Sequence, residues 1–107
     1  ARFEASRPKI VAFTPAHGAE AVDPVDSLIT VRFDRPMGRG LSINYGPLGQ
    51  AAMPKVLGRS WDSTGTVLTL KVGLQPATTY QMLFFGAGFR SRDGVPLAER
   101  LFTFRTR

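Results

Sequence analysis

The chain has 107 residues, of which 43% are hydrophobic and 21% are charged, and its formal net charge is +6. This length suits one domain built around a single hydrophobic core. The sequence contains no cysteine, which excludes disulfides, thiolate metal sites and cysteine nucleophiles. No apolar stretch is long enough to form a membrane-spanning helix, so we expect no membrane insertion.

The 14 basic residues are scattered along the chain rather than gathered in one segment. A basic protein raises nucleic acid as a partner. However, strand motifs that bind RNA interleave basic and aromatic residues, and no such run occurs here. The charge therefore predicts a solvated surface and no nucleic-acid partner.

The first part of the chain predicts a leading segment followed by a strand and a loop. Residues 1–8 are polar and end in proline, which predicts a linker or leading segment ahead of a folded domain at residues 9–107. Residues 9–14 predict a strand that closes at Pro15, because proline cannot donate to a β-ladder. Residues 16–24 predict a long polar loop.

The rest of the chain predicts six more short strands. Residues 28–34 alternate apolar and polar side chains, which is the period of a half-buried strand. Further strands are predicted at residues 42–45, 55–61, 66–72, 78–86 and 101–106. Short strands with turn signals about every 8–12 residues predict an all-β fold, an immunoglobulin-like antiparallel β-sandwich of about seven strands. No window shows a capped helical stripe.

A tyrosine corner is predicted near the start of a late strand. Tyr80 opens that strand after a connection that carries Leu74 and Pro76. In such a corner the ring packs inward and the hydroxyl bonds to backbone that would otherwise lack a partner. These three residues are therefore assigned a structural role.

The outer side of the same strand is unusually apolar. It carries Gln81, Leu83 and Phe85, where a solvent-facing side would be polar. We expect loops, the leading segment or an adjoining domain to cover this surface. Leu83 and Phe85 are accordingly a candidate docking surface for a neighbouring domain of the same polypeptide.

Catalytic and metal-binding chemistry finds little support. His17 is the only histidine, so neither a catalytic triad nor a multi-histidine metal site can be assembled, and we expect it to be a solvated loop residue. Calcium at strand ends remains open because several aspartates lie in predicted loops, although turn chemistry explains each of them: Asp23, Asp26, Asp34, Asp62 and Asp93.

Three aromatic residues are a candidate platform for a sugar or another surface ligand. They are Tyr45, Trp61 and Phe89. The alternative is that Trp61 and Phe89 cap the open ends of the sandwich, which is the preferred interpretation.

Several motifs occurring together in this order resemble those of bacterial Ig-like domains of the S-layer (SbsA) type. They lie at residues 13–19, 22–26, 29–37, 68–70, 74–80, 93–98 and 102–106. The chain departs from the family pattern at Arg35, Gly38 and Ala77, and residues 38–61 match it poorly. A second Ig-like family, the periplasmic copper-binding proteins, uses histidines where this chain has Ala1 and Val95, so copper binding is not expected.

The resemblance implies a seven-stranded sandwich with no catalytic residues and no cofactor. Domains of this type occur as accessory or repeated modules in bacterial extracytoplasmic proteins. The expected function is therefore a spacer or docking unit for a neighbouring domain. The alternative is a module that binds carbohydrate or another cell-surface ligand.

Overall fold

The computed structural model describes residues 7–25, 28–38, 40–86 and 88–107. Within them lie seven strands and one turn of 3-10 helix at Gln50–Ala52. The strands are β1 (Ile10–Thr14), β2 (Leu28–Phe33), β3 (Ile43–Asn44), β4 (Lys55–Trp61), β5 (Val67–Gly73), β6 (Thr79–Phe84) and β7 (Arg100–Arg105).

The strands form two antiparallel sheets. One sheet has four strands in the order β1-β2-β5-β4, and the other has three in the order β3-β6-β7. This is the strand arrangement of a constant-type immunoglobulin sandwich. The predicted all-β sandwich is therefore confirmed.

The core lies between the two sheets and follows the period-2 pattern of the sequence. Alternate apolar side chains of β2, β5, β6 and β7 are at most 5% exposed. These residues are Ile29, Val31, Phe33, Leu68, Leu70, Val72, Tyr80, Met82, Phe84, Phe102 and Phe104. Burial of each such side chain contributes about 1.5–3 kcal/mol to stability.

Segment 18–22 was predicted as loop, but it pairs with the free edge of β7. The Gly18 N–H donates to the Thr103 carbonyl at 2.7 Å, and the Val22 N–H donates to the Arg105 carbonyl at 3.1 Å. Val22 lies parallel to Thr106 in this pairing. The segment therefore closes one edge of the three-stranded sheet. Its sequence of small and polar residues has no alternation that could have predicted this.

A second loop lies over the outer face of the three-stranded sheet. We call residues 45–53 the cover segment. A turn closed by the Gly49 N–H on the Gly46 carbonyl (2.9 Å) leads into the 3-10 helix, which contacts β6. The buried Gln81 holds the segment because its Oε1 accepts from the Leu48 N–H at 2.8 Å.

Pro8 and Arg107 lie at opposite ends of the sandwich, which we call its N-terminal and C-terminal ends. At the N-terminal end, Pro8 is buried and its carbonyl accepts from the Ala98 N–H at 2.9 Å. At the C-terminal end, the Arg107 N–H donates to the Val22 carbonyl at 3.0 Å. Residues 1–6 of the predicted leading segment lie outside the described residues.

Candidate functional site

The single histidine, His17, serves as a hydrogen-bond acceptor in the described part of the chain. His17 is exposed, and its Nδ1 accepts a hydrogen bond from the Thr103 N–H at 3.1 Å. The structure thus gives it a role in joining its loop to β7. Within the described residues, no group of three or more histidine, cysteine, aspartate or glutamate side chains could hold a metal ion.

Asp62 illustrates how the loop aspartates are used. Its Oδ1 accepts from the N–H groups of Thr66 and Val67, both at 3.1 Å, and its Oδ2 accepts from the Thr64 hydroxyl at 2.7 Å. The hydroxyl of Thr64 and the turn N–H groups hold the pKa of Asp62 below its ordinary value. These bonds are turn chemistry within one connection, as the sequence predicted.

Asp23 and Asp34 also make local contacts. Asp23 forms an ion pair with Arg107 at 2.8 Å, which ties the C-terminal end of the chain to its loop. Asp34 accepts from Arg35 and from the Lys9 N–H, both at 3.1 Å. Burial opposes ionisation of Asp34, but these two partners outweigh it and hold the pKa of Asp34 below its ordinary value. Asp26, another predicted calcium candidate, lies outside the described residues.

The tyrosine corner has the geometry that the sequence predicts. Tyr80 is 5% exposed, and its hydroxyl accepts from the Gln75 N–H at 2.7 Å. Leu74 packs half-buried against the core beside it, whereas Pro76 is exposed in the connection. The Tyr80 ring stacks on Phe104 with centroids 5.5 Å apart.

The three aromatic residues do not form one surface platform. Phe89 is 1% exposed and packs on Phe33 and Phe84, which agrees with the preferred interpretation as a cap and contradicts the alternative of a surface ligand residue. Tyr45 is 46% exposed at the start of the cover segment and makes no ring contact among the described residues. Gly86 and Gly88 precede Phe89 and polar residues follow it, so no alternation marked it as a core residue.

Trp61 instead lines a cavity at the N-terminal end of the sandwich. Its ring packs on Phe33 with centroids 5.4 Å apart. Its indole N–H is buried and has no hydrogen-bond partner among the described residues. The cavity is about 400 Å³ and is lined by Met37, Trp61, Asp62, Ser63, Gly65 and Arg92.

Leu83 and Phe85 are half-buried rather than exposed. The cover segment lies over this side of β6 and β7 so closely that a Cβ on Gly46 would stand 2.6 Å from Leu101 Cδ1. Of the covers that the sequence allowed, the structure shows a loop over the neighbouring Gln81 and Leu101. These two residues do not form an open docking surface.

Residues 4–106 match the family described as Bacterial Ig-like domain. The chain belongs to this family. No curated protein matches it significantly.

Solved structures with the same fold include an S-layer protein and CopC. The S-layer protein SbsC, residues 31–844, is similar with a TM-score of 0.63 and 17% identity over 97% of this chain. CopC from Methylosinus trichosporium OB3b is similar with a TM-score of 0.68 and 19% identity over 94% of this chain and 93% of its own. This Ig-like domain spans only 14% of the SbsC chain.

The C-terminal end of this Ig-like domain exposes apolar side chains that sequence reasoning did not single out. Val25 is 82% exposed and Leu28 is 54% exposed. Val25 follows the ion-paired Asp23 in the connection to β2, and Leu28 is the first residue of β2. Within the described residues, no helix has the length and apolar content needed to cross a bilayer.

Proposed function

We propose that this Ig-like domain is a non-catalytic accessory module of a larger bacterial extracytoplasmic protein. In that protein it acts as a spacer or docking unit for a neighbouring domain. The observation that carries the proposal is the placement of Pro8 and Arg107 at opposite ends of the sandwich. A rigid sandwich that the chain enters at one end and leaves at the other would hold its two neighbouring domains apart.

The contacts at both ends support a fixed geometry rather than a loose attachment. The leading backbone at Pro8 is tied to Ala98, and Arg107 is tied to both Val22 and Asp23. The exposed Val25 beside Arg107 offers apolar surface to the domain that would follow. The fold shared with S-layer chains, in which one such unit is a small part of the length, agrees with this role.

The test uses the full polypeptide that carries this domain. Replacing the domain with a flexible Gly/Ser linker should broaden the distance distribution between its neighbours, measured by small-angle scattering or spin-label distances. Val25→Ser should loosen the neighbour at the C-terminal end. Val11→Ser, at a residue that is 57% exposed on β1, is the matched control and should not loosen it. Unchanged distances with the linker, or equal effects of the two serine variants, would refute the spacer role.

A non-catalytic module should also show no turnover by itself. The purified domain is expected to be inactive in hydrolytic and redox assays. Reproducible turnover that disappears when one residue of the domain is substituted would contradict the proposal.

The cavity at Trp61 favours a second candidate function, the binding of a small sugar. The cavity combines an aromatic ring with the guanidinium of Arg92 and the hydroxyl of Ser63. Trp61 is the only tryptophan, so its fluorescence reports on this cavity directly. Quenching by glycans that disappears in Arg92→Ala would support this function, and fluorescence unaffected by a glycan panel would contradict it.

A further inference from the structure

The outer face of the four-stranded sheet carries a row of hydroxyl groups that crosses all four strands. Thr14 pairs with Thr30, Thr30 with Thr69, and Thr69 with Ser60. Adjacent strands are about 4.8 Å apart, so the row is about 14 Å long. None of these four hydroxyls forms a hydrogen bond with the described part of the chain. Their hydrogen-bonding capacity is therefore free for a ligand.

Cations flank this row on both sides. Arg32 lies one outward position beyond Thr30 on β2, and Lys71 lies one outward position beyond Thr69 in the opposite direction on β5. Lys55 lies on the edge strand β4. All three are exposed, and none forms an ion pair among the described residues. The four strands of this sheet contain no acidic residue.

Arg32 lies in a shallow depression of about 530 Å³ at one end of the row. The depression is also lined by Thr14, Thr30, Thr64 and Thr66. Asp62 lines it too, but both of its oxygens already accept hydrogen bonds from its own turn. The free guanidinium can therefore pair with a carboxylate or sulfate supplied from outside, in the forked geometry that arginine favours.

We propose that this hydroxyl row and its flanking cations bind an anionic polysaccharide along the outer face of the four-stranded sheet. The alternating hydroxyl and acidic groups of such a polymer complement the row of threonines between Arg32 and Lys71. A nucleic acid fits less well, because this face carries no aromatic ring on which bases could stack. This inference does not depend on whether the domain also acts as a spacer.

Each contact at this exposed face is weak, so binding has to arise from several contacts along one polymer. An exposed charge pair contributes about 0–1 kcal/mol and is screened by salt. The affinity should therefore increase with polymer length and decrease as salt is added.

The test measures binding of the intact domain to polygalacturonate, with neutral dextran and single-stranded DNA as comparison polymers. The double variant Arg32→Gln/Lys71→Gln should lose about tenfold in affinity, which corresponds to two weak charge contacts. The matched control Arg100→Gln/Arg105→Gln removes the same charge from β7, in the other sheet, and should lose less than about twofold.

A second variant separates a specific surface from net charge. Thr30→Val/Thr69→Val keeps the shape and charge of the face but removes two hydroxyls, and it should weaken polygalacturonate binding without unfolding the domain, as checked by circular dichroism. Equal losses in the two charge variants, or no loss in the threonine variant, would overturn the proposal. DNA binding as tight as polygalacturonate binding, lost in the same variants, would overturn the assignment to polysaccharide.

Discussion

The two sheets of this Ig-like domain differ in whether their outer faces are covered. The four-stranded sheet leaves its outer side open, with unpartnered hydroxyls and cations. The three-stranded sheet is overlaid by the cover segment, which buries Gln81 to 6% exposure beneath a tight glycine turn. The outer face of the three-stranded sheet is thus partly buried, whereas that of the four-stranded sheet is exposed. Substitutions should therefore lower stability more on the outer face of the three-stranded sheet than on that of the four-stranded sheet.

The largest expected difference in stability between the two faces comes from substituting a matched pair of glycines. A Cβ at Gly46 would lie 2.6 Å from Gln81 Oε1, whereas a Cβ at Gly58 on β4 would meet nothing closer than 3.8 Å. Gly46→Val should therefore destabilise the domain by about 2–3 kcal/mol through overpacking. Gly58→Val should change stability by less than about 1 kcal/mol, and in the favourable direction, because glycine is a poor strand residue. Urea denaturation of both variants checks this, and equal midpoints would break the comparison.

Tyr80→Phe should destabilise the whole domain without lifting the cover segment. The substitution removes only the hydroxyl, which leaves the Gln75 N–H without its acceptor at a cost of about 2 kcal/mol. Tyr45→Phe is the control, because that ring is exposed and its loss of a hydroxyl should have almost no effect. The denaturation midpoint gives the stability, and amide exchange of Leu48 reports on the cover segment. A midpoint unchanged in Tyr80→Phe would show that the corner contributes nothing.

Substituting a buried polar side chain should lower stability more than substituting an exposed one. Gln81→Met removes the acceptor of the Leu48 N–H and the donor to the Thr103 hydroxyl, and we expect a loss of about 1 kcal/mol. Thr69→Val removes a hydroxyl that has no partner on the open face, and its midpoint should remain unchanged. Faster amide exchange at Leu48 should accompany only the first substitution. A lower midpoint for Thr69→Val than for Gln81→Met would contradict this difference between buried and exposed polar groups.

The smallest effect is expected from acidification at the turn that borders the open face. The pKa of Asp62 is lowered in the folded domain, so its contribution is present above the unfolded pKa and is lost as the pH falls through the folded value. The native chain should therefore lose more stability than Asp62→Asn between about pH 5 and pH 2. Parallel denaturation curves at each pH make the measurement. An identical pH dependence in both proteins would show that the turn bonds do not favour the carboxylate.

The features that the sequence predicted are those set by alternation. Residues 28–34 and 66–72 alternate cleanly, and their inward residues form the core. The tyrosine corner was predictable because a proline-bearing connection and a tyrosine lie at a characteristic spacing.

The features that the sequence did not predict depend on how loops approach the sheets. Gln81 is buried beneath a turn in which a Cβ on Gly46 would stand 2.6 Å from Gln81 Oε1, and that close approach leaves no periodic signal. Segment 18–22 pairs with β7 through its backbone alone, which is equally invisible in side-chain patterns. Phe89 is buried from an irregular loop, so its alternative role as a ligand residue could not be excluded from sequence.

The pairing of segment 18–22 with β7 has a mechanical consequence. The two run parallel, and Pro8 and Arg107 lie at opposite ends of the sandwich. A force that stretches the polypeptide would therefore pull segment 18–22 and β7 in opposite directions along their length. Their hydrogen bonds, from Gly18 at 2.7 Å to Arg107 at 3.0 Å, would bear this load together in shear instead of opening one after another. The same short segment that closes a sheet edge would thus let the domain carry tension between its neighbours.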